Sequence, residues 1–406
     1  MHRKFFPLCG KTVMPAQLQK SDPKVLLFVY RPADPLEGFV KRHVEHVAGG
    51  YGNCMHLQDW RIPQIGEKAL WKTDPISCAV RKVLVRLFGI DRKSLHKKAF
   101  GLALRRRKPD VVLAEFGYSG ILILDVCQEL CIPLVVHFHG SDVNRQEVIT
   151  LQHDVYLRMF AYASSMVTTS LYEKNALVAQ GAPPEKLHVV PSGADFPKDV
   201  KPAPRNGSDF NILSVTRMAE VKAPHLTIVA FRRYLDRGGK GRLQIVGDGP
   251  LMPFCQSLAR GLGLGDKCVF RGRLPNEEVL RLVGEAHLYV QHSIRARDGD
   301  CEGMPRTIME AAGYQLPIVT TAPGGIGEFM KHGETAYVVD EYDTAGMAEC
   351  MYRLWRDPKE AQRLGKAAHT LACAHFVADE RAAKVKELTH AAVASGRATA
   401  SWMVQT

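Results

Sequence analysis

Short, wholly apolar runs alternate with segments of helical periodicity along the first half of the chain. The first run, residues 24–30, ends at the turn signal Arg31-Pro32. Similar runs follow at 111–114, 134–137, 166–169 and 187–190, and helical patterns occupy 121–130, 148–163 and 171–179. Strands that are apolar on both faces and alternate with helices predict a parallel sheet covered by helices on both sides.

A second series of the same kind begins near residue 210. Strands are predicted at 210–215, 243–246, 268–270, 288–290, 318–320 and 336–339, with helices at about 224–235, 277–285 and 305–314. The tail from residue 343 to about 393 has a helical pattern. The predicted fold class is therefore α/β, with two Rossmann-like, doubly wound domains facing across a cleft that receives the carboxyl ends of their strands.

Composition and length place the domain limits. A chain of 406 residues suits two domains of roughly 200 residues each. We predict a flexible basic leader at 1–23, a first Rossmann-like domain at 24–195, a linker at 196–209, a second Rossmann-like domain at 210–380, and a helical tail at 381–406 that packs back on the first domain. No run approaches the ~18 uncharged apolar residues of a membrane span, and prolines interrupt the leader. We expect a cytoplasmic protein.

The net charge of +12 is concentrated near the start of the chain. Residues 1–108 hold 22 Lys and Arg against 8 Asp and Glu, and the densest run is residues 105–108. Cations alternate with apolar residues over 91–108, which allows three interpretations. The helix could bind anionic lipid headgroups at about 1 kcal/mol per cation, form a solvated face, or bind nucleic acid. No nucleic-acid motif accompanies the charge, so we favour peripheral contact with the inner face of the cell membrane and expect no nucleic-acid partner.

The ten cysteines include no C-x-x-C pair. Reduced, mostly buried thiols are the usual state in a cytosolic chain. We therefore expect no metal site. No bound cofactor is expected either.

The segment 298–312 carries the most informative chemistry. Glu302 falls in a polar loop after a strand, Pro305 suits the first position of a helix, and Glu310 falls in its second turn. Free N–H groups at a helix start attract anions, and Gly303 lets the backbone approach a bound group. A diphosphate could rest there while one carboxylate holds sugar hydroxyls and the other holds ribose hydroxyls. On spacing alone, two solvated glutamates near a helix start are the favoured interpretation.

The surroundings of this segment favour the ligand interpretation. Arg217 and Lys222 follow the first strand of the second half, where phosphates are commonly bound. Arg can hold a phosphate through two hydrogen bonds, and Lys acts as a mobile point charge. Gly247 lies in a further glycine turn at a strand end. Two surface cations are the alternative for Arg217 and Lys222.

These motifs together resemble family 4 of the retaining GT-B glycosyltransferases. The order and spacing match over most of residues 210–340, through the segments 214–217, 245–250, 270–272, 302–311 and 324–326. In the first half, Phe138-His139-Gly140-Ser141-Asp142 resembles the family's H-G-x-D loop, and residues 191–195 resemble its P-N-G-x-D turn. Residues 37–40 are similar to the E-T-F-I segment of members that build cell-surface polysaccharides.

The resemblance implies that residues 24–195 form the acceptor-side domain and residues 210–380 the nucleotide-sugar-binding domain, and it implies a role for each matching residue. Arg217 and Lys222 would neutralise the departing diphosphate, Glu310 would hold the ribose, and Glu302 would contact the transferred sugar. The remaining implied positions are backbone contacts to the donor at Gly303, Met304 and Gly247, His139 near the anomeric carbon, and acceptor-side or cleft positions Glu37, Gly38, Gly117 and Asp142.

Four positions depart from the family's pattern. Thr216 and Ala223 each replace a glycine, and Gly327 replaces the proline of G-G-I-P-E. Residues 115–117 read Glu-Phe-Gly where H-F-G is frequent, so the role of that histidine has no counterpart here.

The expected activity is retaining, metal-independent transfer of a sugar from a nucleotide-sugar donor, UDP rather than GDP. The acceptor is expected to be a glycan or lipid-linked glycan of cell-surface polysaccharide synthesis. Alternatives are a sugar phosphorylase, a nucleotide-sugar epimerase, or a catalytically silent subunit that binds sugar nucleotides. A phosphorylase of the glycogen type would need a pyridoxal lysine, which the sequence does not identify.

Overall fold

The structure is a computed structural model that describes most of the chain. The described residues are 22–32, 38–58, 62–72, 91–204 and 210–403, with isolated positions between 74 and 89. Most of the predicted leader, Glu37, and part of the predicted linker lie outside them.

Two sheets account for the described strands. Those of the first sheet are β1 (Val25–Pro32), β2 (Cys54–Gln58), β3 (Ile62–Ile65), β4 (Lys68–Ala69), β5 (Val111–Glu115), β6 (Leu134–His137), β7 (Ser165–Thr168) and β8 (Leu187–Val189). Their order is β4-β3-β2-β1-β5-β6-β7-β8. β1 pairs in parallel with β2 and β5, β5 with β6, and β7 with β8, whereas β3 is antiparallel to both of its neighbours.

Helices follow these strands as the periodicity predicts. The helices of this half are α1 (Gly38–His46), α2 (Arg92–Arg107), α3 (Gly117–Glu129), α4 (Ser141–Asn144), α5 (Gln146–Tyr162) and α6 (Leu171–Ala179). All five apolar runs predicted as strands are strands. The extra strands β2, β3 and β4 have no apolar run to reveal them; β2, for example, buries His56, whose Nε2 lies 2.9 Å from the Gly66 carbonyl oxygen.

The second sheet is wholly parallel in its recorded pairings. Its strands are β9 (Asn211–Val215), β10 (Arg242–Val246), β11 (Cys268–Gly272), β12 (Leu288–Gln291), β13 (Ile318–Thr321) and β14 (Tyr337–Val339), in the order β11-β10-β9-β12-β13-β14. The helices of this half are α7 (Pro224–Asp236), α8 (Met252–Gly261), α9 (Asn276–Glu285), α10 (Arg306–Gly313), α11 (Ile326–Phe329), α12 (Thr344–Arg356), α13 (Pro358–His375) and α14 (Ala378–Met403). The α/β class is confirmed, with one sheet parallel in all its pairings and one that is mainly parallel, in which β3 is antiparallel to β2 and β4.

The second sheet is buried on both faces. Ile212 and Leu288 belong to one apolar cluster, whereas their neighbours Leu213 and Tyr289 belong to another. Successive side chains of a strand point to opposite faces, so each cluster covers one side. This explains why the strands read as continuous apolar runs rather than as alternating ones.

Contacts divide the chain into two compact units. The first unit comprises residues 1–137, 162–165 and 382–406, and the second comprises residues 138–161 and 166–381. The end of α14 therefore belongs to the same unit as β1. The domain limits drawn from the sequence remain predictions. Among the described residues, no helix is long and apolar enough to span a bilayer.

Candidate functional site

The second unit brings Lys222 and Glu302 into direct contact. A short 3-10 turn, Glu220–Lys222, follows β9 and leads into α7. From this turn Lys222 Nζ lies 2.9 Å from Glu302 Oε1, with only 14% and 15% of the two side chains exposed. The next residue, Ala223, has the left-handed backbone angles φ 34° and ψ 52°. Glycine adopts that conformation readily, which fits the glycine expected there from the resemblance.

Two glycine segments fix the loop that carries Glu302. A Cβ on Gly303 would lie 2.3 Å from Glu173 Oε1 and 2.4 Å from Thr169 Oγ1. On the other side, Gly325 N donates to the Glu302 carbonyl oxygen at 2.9 Å, and a Cβ on Gly324 would lie 2.2 Å from that oxygen. At both positions, Gly303 and Gly324, any side chain larger than that of glycine would collide with these neighbouring atoms.

Helix α10 begins one residue later than predicted. Pro305 is its N-cap, with φ −61° and ψ 126°, and Arg306 is its first residue. Met304 is buried just before it. The first backbone N–H groups of this helix, which have no partner within it, lie directly after the Glu302 loop.

Glu310 is buried and paired. Arg306 Nε lies 2.9 Å from Glu310 Oε1, and Arg306 Nη2 lies 3.1 Å from Asp195 Oδ2. Burial raises the pKa of Glu310 to about 7, and the Arg306 charge opposes that rise. Sequence reasoning missed Arg306, because an arginine in the first turn of a helix gives no signal of its own.

Arg217 and Gly247 lie at the ends of adjacent strands. Gly247 has φ +127°, and a Cβ there would lie 1.9 Å from the Thr216 carbonyl oxygen. Arg217 is exposed, and within the described chain its side chain has no recorded hydrogen bond or ion pair. It is therefore available to a ligand, whereas Lys222 is held by Glu302.

The predicted His139 loop packs against the Glu302 loop within the same unit. Asp142 Oδ1 accepts a hydrogen bond from His139 N at 2.7 Å. Gly140 has φ +57°, and a Cβ on it would lie 3.4 Å from the Cys301 carbonyl oxygen. That oxygen also accepts a hydrogen bond from Asn144 Nδ2 at 3.1 Å. The structure thus places the H-G-x-D segment beside the loop of Glu302.

A buried carboxyl that the sequence did not reveal joins these loops. Glu173 accepts hydrogen bonds from Gly140 N at 2.9 Å and from both Thr169 N and Thr169 Oγ1 at 2.8 Å. Burial raises its pKa to about 7. Glu173 lies within a predicted helix, where a lone glutamate looks like a solvent-facing residue. Glu328, the last residue of the segment compared with G-G-I-P-E, was given no role from the sequence; it caps α6 by accepting from Leu171 N and Tyr172 N.

The first unit holds a cluster of three buried side chains at the carboxyl ends of β5 and β6. His43 Nδ1 lies 2.7 Å from Glu115 Oε1, and His137 Nδ1 lies 3.3 Å from Glu115 Oε2. Two histidines and a carboxylate are a donor set that zinc accepts, and these atoms lie within 4.8 Å of one another. The 2.7 Å separation is that of a hydrogen bond, so a metal would have to displace this contact.

Two further predicted positions, Gly38 and Gly117, lie in the first unit. Gly38 begins α1 and Gly117 begins α3. The N-cap of α3, Phe116, has φ 72° and ψ 144°, which is a strained conformation for a side chain of this size. Glu37 lies outside the described residues.

Together these contacts define a site in the second unit, and its centre is the largely buried ion pair of Lys222 and Glu302. One cation, Lys222, is held by the Glu302 carboxylate. A second cation, Arg217, comes shortly before Lys222 in the chain and is exposed. A helix start and two tight glycine turns present backbone rather than side chains. Such an arrangement can bind a polyanion that carries hydroxyl groups.

Two family profiles match this chain in succession. The profile for Glycosyltransferase Family 4 matches residues 76–196, and the profile for glycosyl transferases group 1 matches residues 195–370. The two matches together span residues 76–370, so the chain is similar to these glycosyltransferase families along most of its length, as its motifs predicted.

Two relatives and one solved structure illustrate the similarity. The amylovoran biosynthesis glycosyltransferase AmsK of Erwinia amylovora is 31% identical over 249 residues, which cover 60% of this chain and 61% of AmsK. The putative colanic acid biosynthesis glycosyltransferase WcaL of Salmonella typhimurium is 30% identical over 243 residues, 59% of this chain and 60% of WcaL. The chain thus spans about three-fifths of the length of these relatives.

The solved structure is that of Anabaena HepE in complex with UDP. It superposes with a TM-score of 0.67 at 15% identity, covering 90% of this chain and 98% of HepE. Similarity at this level of identity concerns the fold, and it confirms the predicted GT-B class.

Proposed function

We propose that this chain is a retaining glycosyltransferase that moves a sugar from a nucleotide-sugar donor to a glycan or lipid-linked glycan in cell-surface polysaccharide synthesis. The observation that carries the proposal is the Lys222–Glu302 contact at 2.9 Å, on the loop that leads into the helix of buried Glu310, inside the matched family segment. The names of AmsK and WcaL support the polysaccharide setting. HepE was solved with UDP, which supports UDP rather than GDP as the nucleotide.

The contacts of Lys222 and Glu302 support a scheme for donor binding. Lys222 leaves Glu302 for the negatively charged diphosphate, and Arg217 supplies a second cation to the same group. The released Glu302 carboxylate then accepts hydrogen bonds from hydroxyls of the sugar, while Glu310 accepts those of the ribose. Backbone N–H groups near Gly303 and at the start of α10 complete the anion site.

Transfer follows on the face from which the diphosphate departs. The acceptor oxygen forms a bond to the anomeric carbon as the bond to the donor phosphate oxygen breaks, and the departing phosphate takes the acceptor proton. Arg217, Lys222 and the start of α10 lower the barrier by stabilising charge on that phosphate. His139 lies near the anomeric carbon in this scheme. These groups stand in for a divalent cation, so no metal is required.

A donor panel tests the proposal. Nucleotide release would be measured with UDP-glucose, UDP-galactose, UDP-N-acetylglucosamine and GDP-mannose, each with a polyprenyl-linked glycan acceptor, before and after EDTA. We expect release from a UDP-sugar that depends on the acceptor and survives EDTA, with an α-linked product by NMR. Release only from GDP-mannose would refute the base assignment. Activity lost in EDTA and restored by Mn²⁺ would refute metal independence.

The same panel separates the alternatives. Sugar transfer to inorganic phosphate would indicate a phosphorylase, and interconversion of the donors without an acceptor would indicate an epimerase. Binding of nucleotides with no turnover in any mixture would indicate a silent subunit.

Helix α2 supports contact with a membrane surface. It buries Phe100 and Leu104, while Leu102 is 56% exposed among outward cations. Arg106 and Arg107 are exposed in its last turn. We expect binding to vesicles with anionic lipid, dispersed by about 0.5 M salt because such charges are screened over less than 10 Å. Equal binding to neutral vesicles would contradict this.

A further inference from the structure

We propose that Arg306 is a positioning residue of the donor site, which orients the Glu310 carboxylate and holds it ionised for the hydroxyls of the donor's ribose. This inference rests on the proposed function and adds a residue to the same site. It comes from three side chains, Asp195, Arg306 and Glu310, that form one chain of contacts.

The geometry gives Arg306 two separate partners. Its Nε lies 2.9 Å from Glu310 Oε1 and its Nη2 lies 3.1 Å from Asp195 Oδ2. Glu310 is 4% exposed at its side chain, against 24% for Arg306 and 42% for Asp195. A guanidinium presents its donors in a fixed plane, so anchoring one side on Asp195 fixes the direction of the other.

The hydrogen bond from Arg306 occupies one carboxylate oxygen of Glu310 and leaves the other oxygen available to a ligand. Arg306 binds Oε1, and within the described part of the chain Oε2 has no recorded hydrogen bond. A carboxylate held through one oxygen presents the second in a defined direction. That oxygen is the acceptor we assign to the ribose.

The charges around Glu310 explain why the Arg306 cation is needed to keep the Glu310 carboxyl ionised. The titratable groups recorded as facing Glu310 are Arg306, Asp195, Tyr289 and Tyr314. Arg306 is the one cation among these four, whereas burial and Asp195 both favour the protonated form of Glu310. A protonated carboxyl loses acceptor capacity, so loss of Arg306 weakens ribose binding at neutral pH.

The test measures UDP affinity as a function of pH by calorimetry, from pH 5.5 to 9. In the wild type, affinity rises as Glu310 ionises near pH 7. In Arg306→Leu the same rise is expected about one pH unit higher, so affinity at pH 7 falls about fivefold and recovers partly at pH 9. Arg306→Lys keeps the charge and loses the second anchor, and should lie between the two.

The double variant that combines Arg306→Leu with Glu310→Gln distinguishes a positioning role from a folding defect. If Arg306 acts through Glu310, then Arg306→Leu adds little to the loss already caused by Glu310→Gln, and the two effects are not additive. Additive losses, or an unchanged pH midpoint in Arg306→Leu, would overturn the positioning role. Failure of the wild type to bind either UDP or GDP would instead count against the proposed function.

Discussion

Replacement of Glu302 by Gln separates donor binding from transfer. In the structure Glu302 Oε1 lies 2.9 Å from Lys222 Nζ, and both side chains are about 85% buried. Lys222 must leave Glu302 to reach the diphosphate, so the carboxylate competes with the ligand. Glu302→Gln keeps the shape of the side chain and removes the competing charge.

The size of the effect follows from the environment of the pair. Exposed ion pairs contribute about 0.2–1 kcal/mol, and this largely buried pair belongs at the upper end of that range. Removing a competitor worth about 1 kcal/mol tightens UDP binding roughly fivefold. Transfer nevertheless slows, because the variant lacks the carboxylate that holds the sugar hydroxyls in the transition state.

Calorimetry with UDP measures the binding half of this prediction. Glu220→Gln is a matched control, since Glu220 lies in the same turn as Lys222 and carries the same charge. Its carboxylate is 3.7 Å from Arg297 Nε and 48% exposed, so we expect less than a twofold change. UDP binding weakened by Glu302→Gln, or tightened equally by Glu220→Gln, would refute the exchange of partners at Lys222.

Three further predictions concern backbone, proton linkage and metal. Gly247→Ala should lower the melting temperature by more than 5 °C and weaken UDP binding, because its Cβ would lie 1.9 Å from a carbonyl oxygen, whereas Gly261→Ala meets open space and should be tolerated. Glu310 has a pKa of about 7 in the folded protein against an ordinary 4.5, so the folded state binds this proton up to a higher pH than the unfolded state does. The free energy of unfolding should therefore fall as the pH rises from 4.5 to 7, by at most about 3 kcal/mol. Urea titrations at pH 5 and pH 7.5 should show a smaller fall in Glu310→Gln than in the wild type. Metal analysis of purified protein should find no stoichiometric zinc at His43, Glu115 and His137, and one equivalent lost in His137→Ala would contradict the hydrogen-bonded interpretation of that cluster.

The sequence predicted the parallel strands well because their physical signal is local. A strand buried on both faces is a continuous apolar run, as in Val111–Glu115, and its neighbours need not be known. Strand β2 was not predicted because a buried polar residue, His56, interrupts its apolar run. The buried His56 ring contacts the carbonyl oxygen of Gly66, ten residues away, and the local sequence does not reveal that contact.

The same distinction applies to the site. Lys222 and Glu302 were identifiable from strand ends and a helix start, both of which are local features. Glu173 and Arg306 were not, because their importance comes from contacts with Gly140 and Asp195, more than 30 and 100 residues away. Such contacts are set by the fold and leave no periodic or motif signal along the chain.

The central claim is sugar transfer at the Lys222–Glu302–Glu310 site, and acceptor-dependent release of a nucleoside diphosphate tests it most directly. The wild type should release UDP from one UDP-sugar only when a lipid-linked glycan is present, and Lys222→Met should release at least about a hundredfold less while remaining folded. Release by Lys222→Met at the wild-type rate would contradict the assignment of this site.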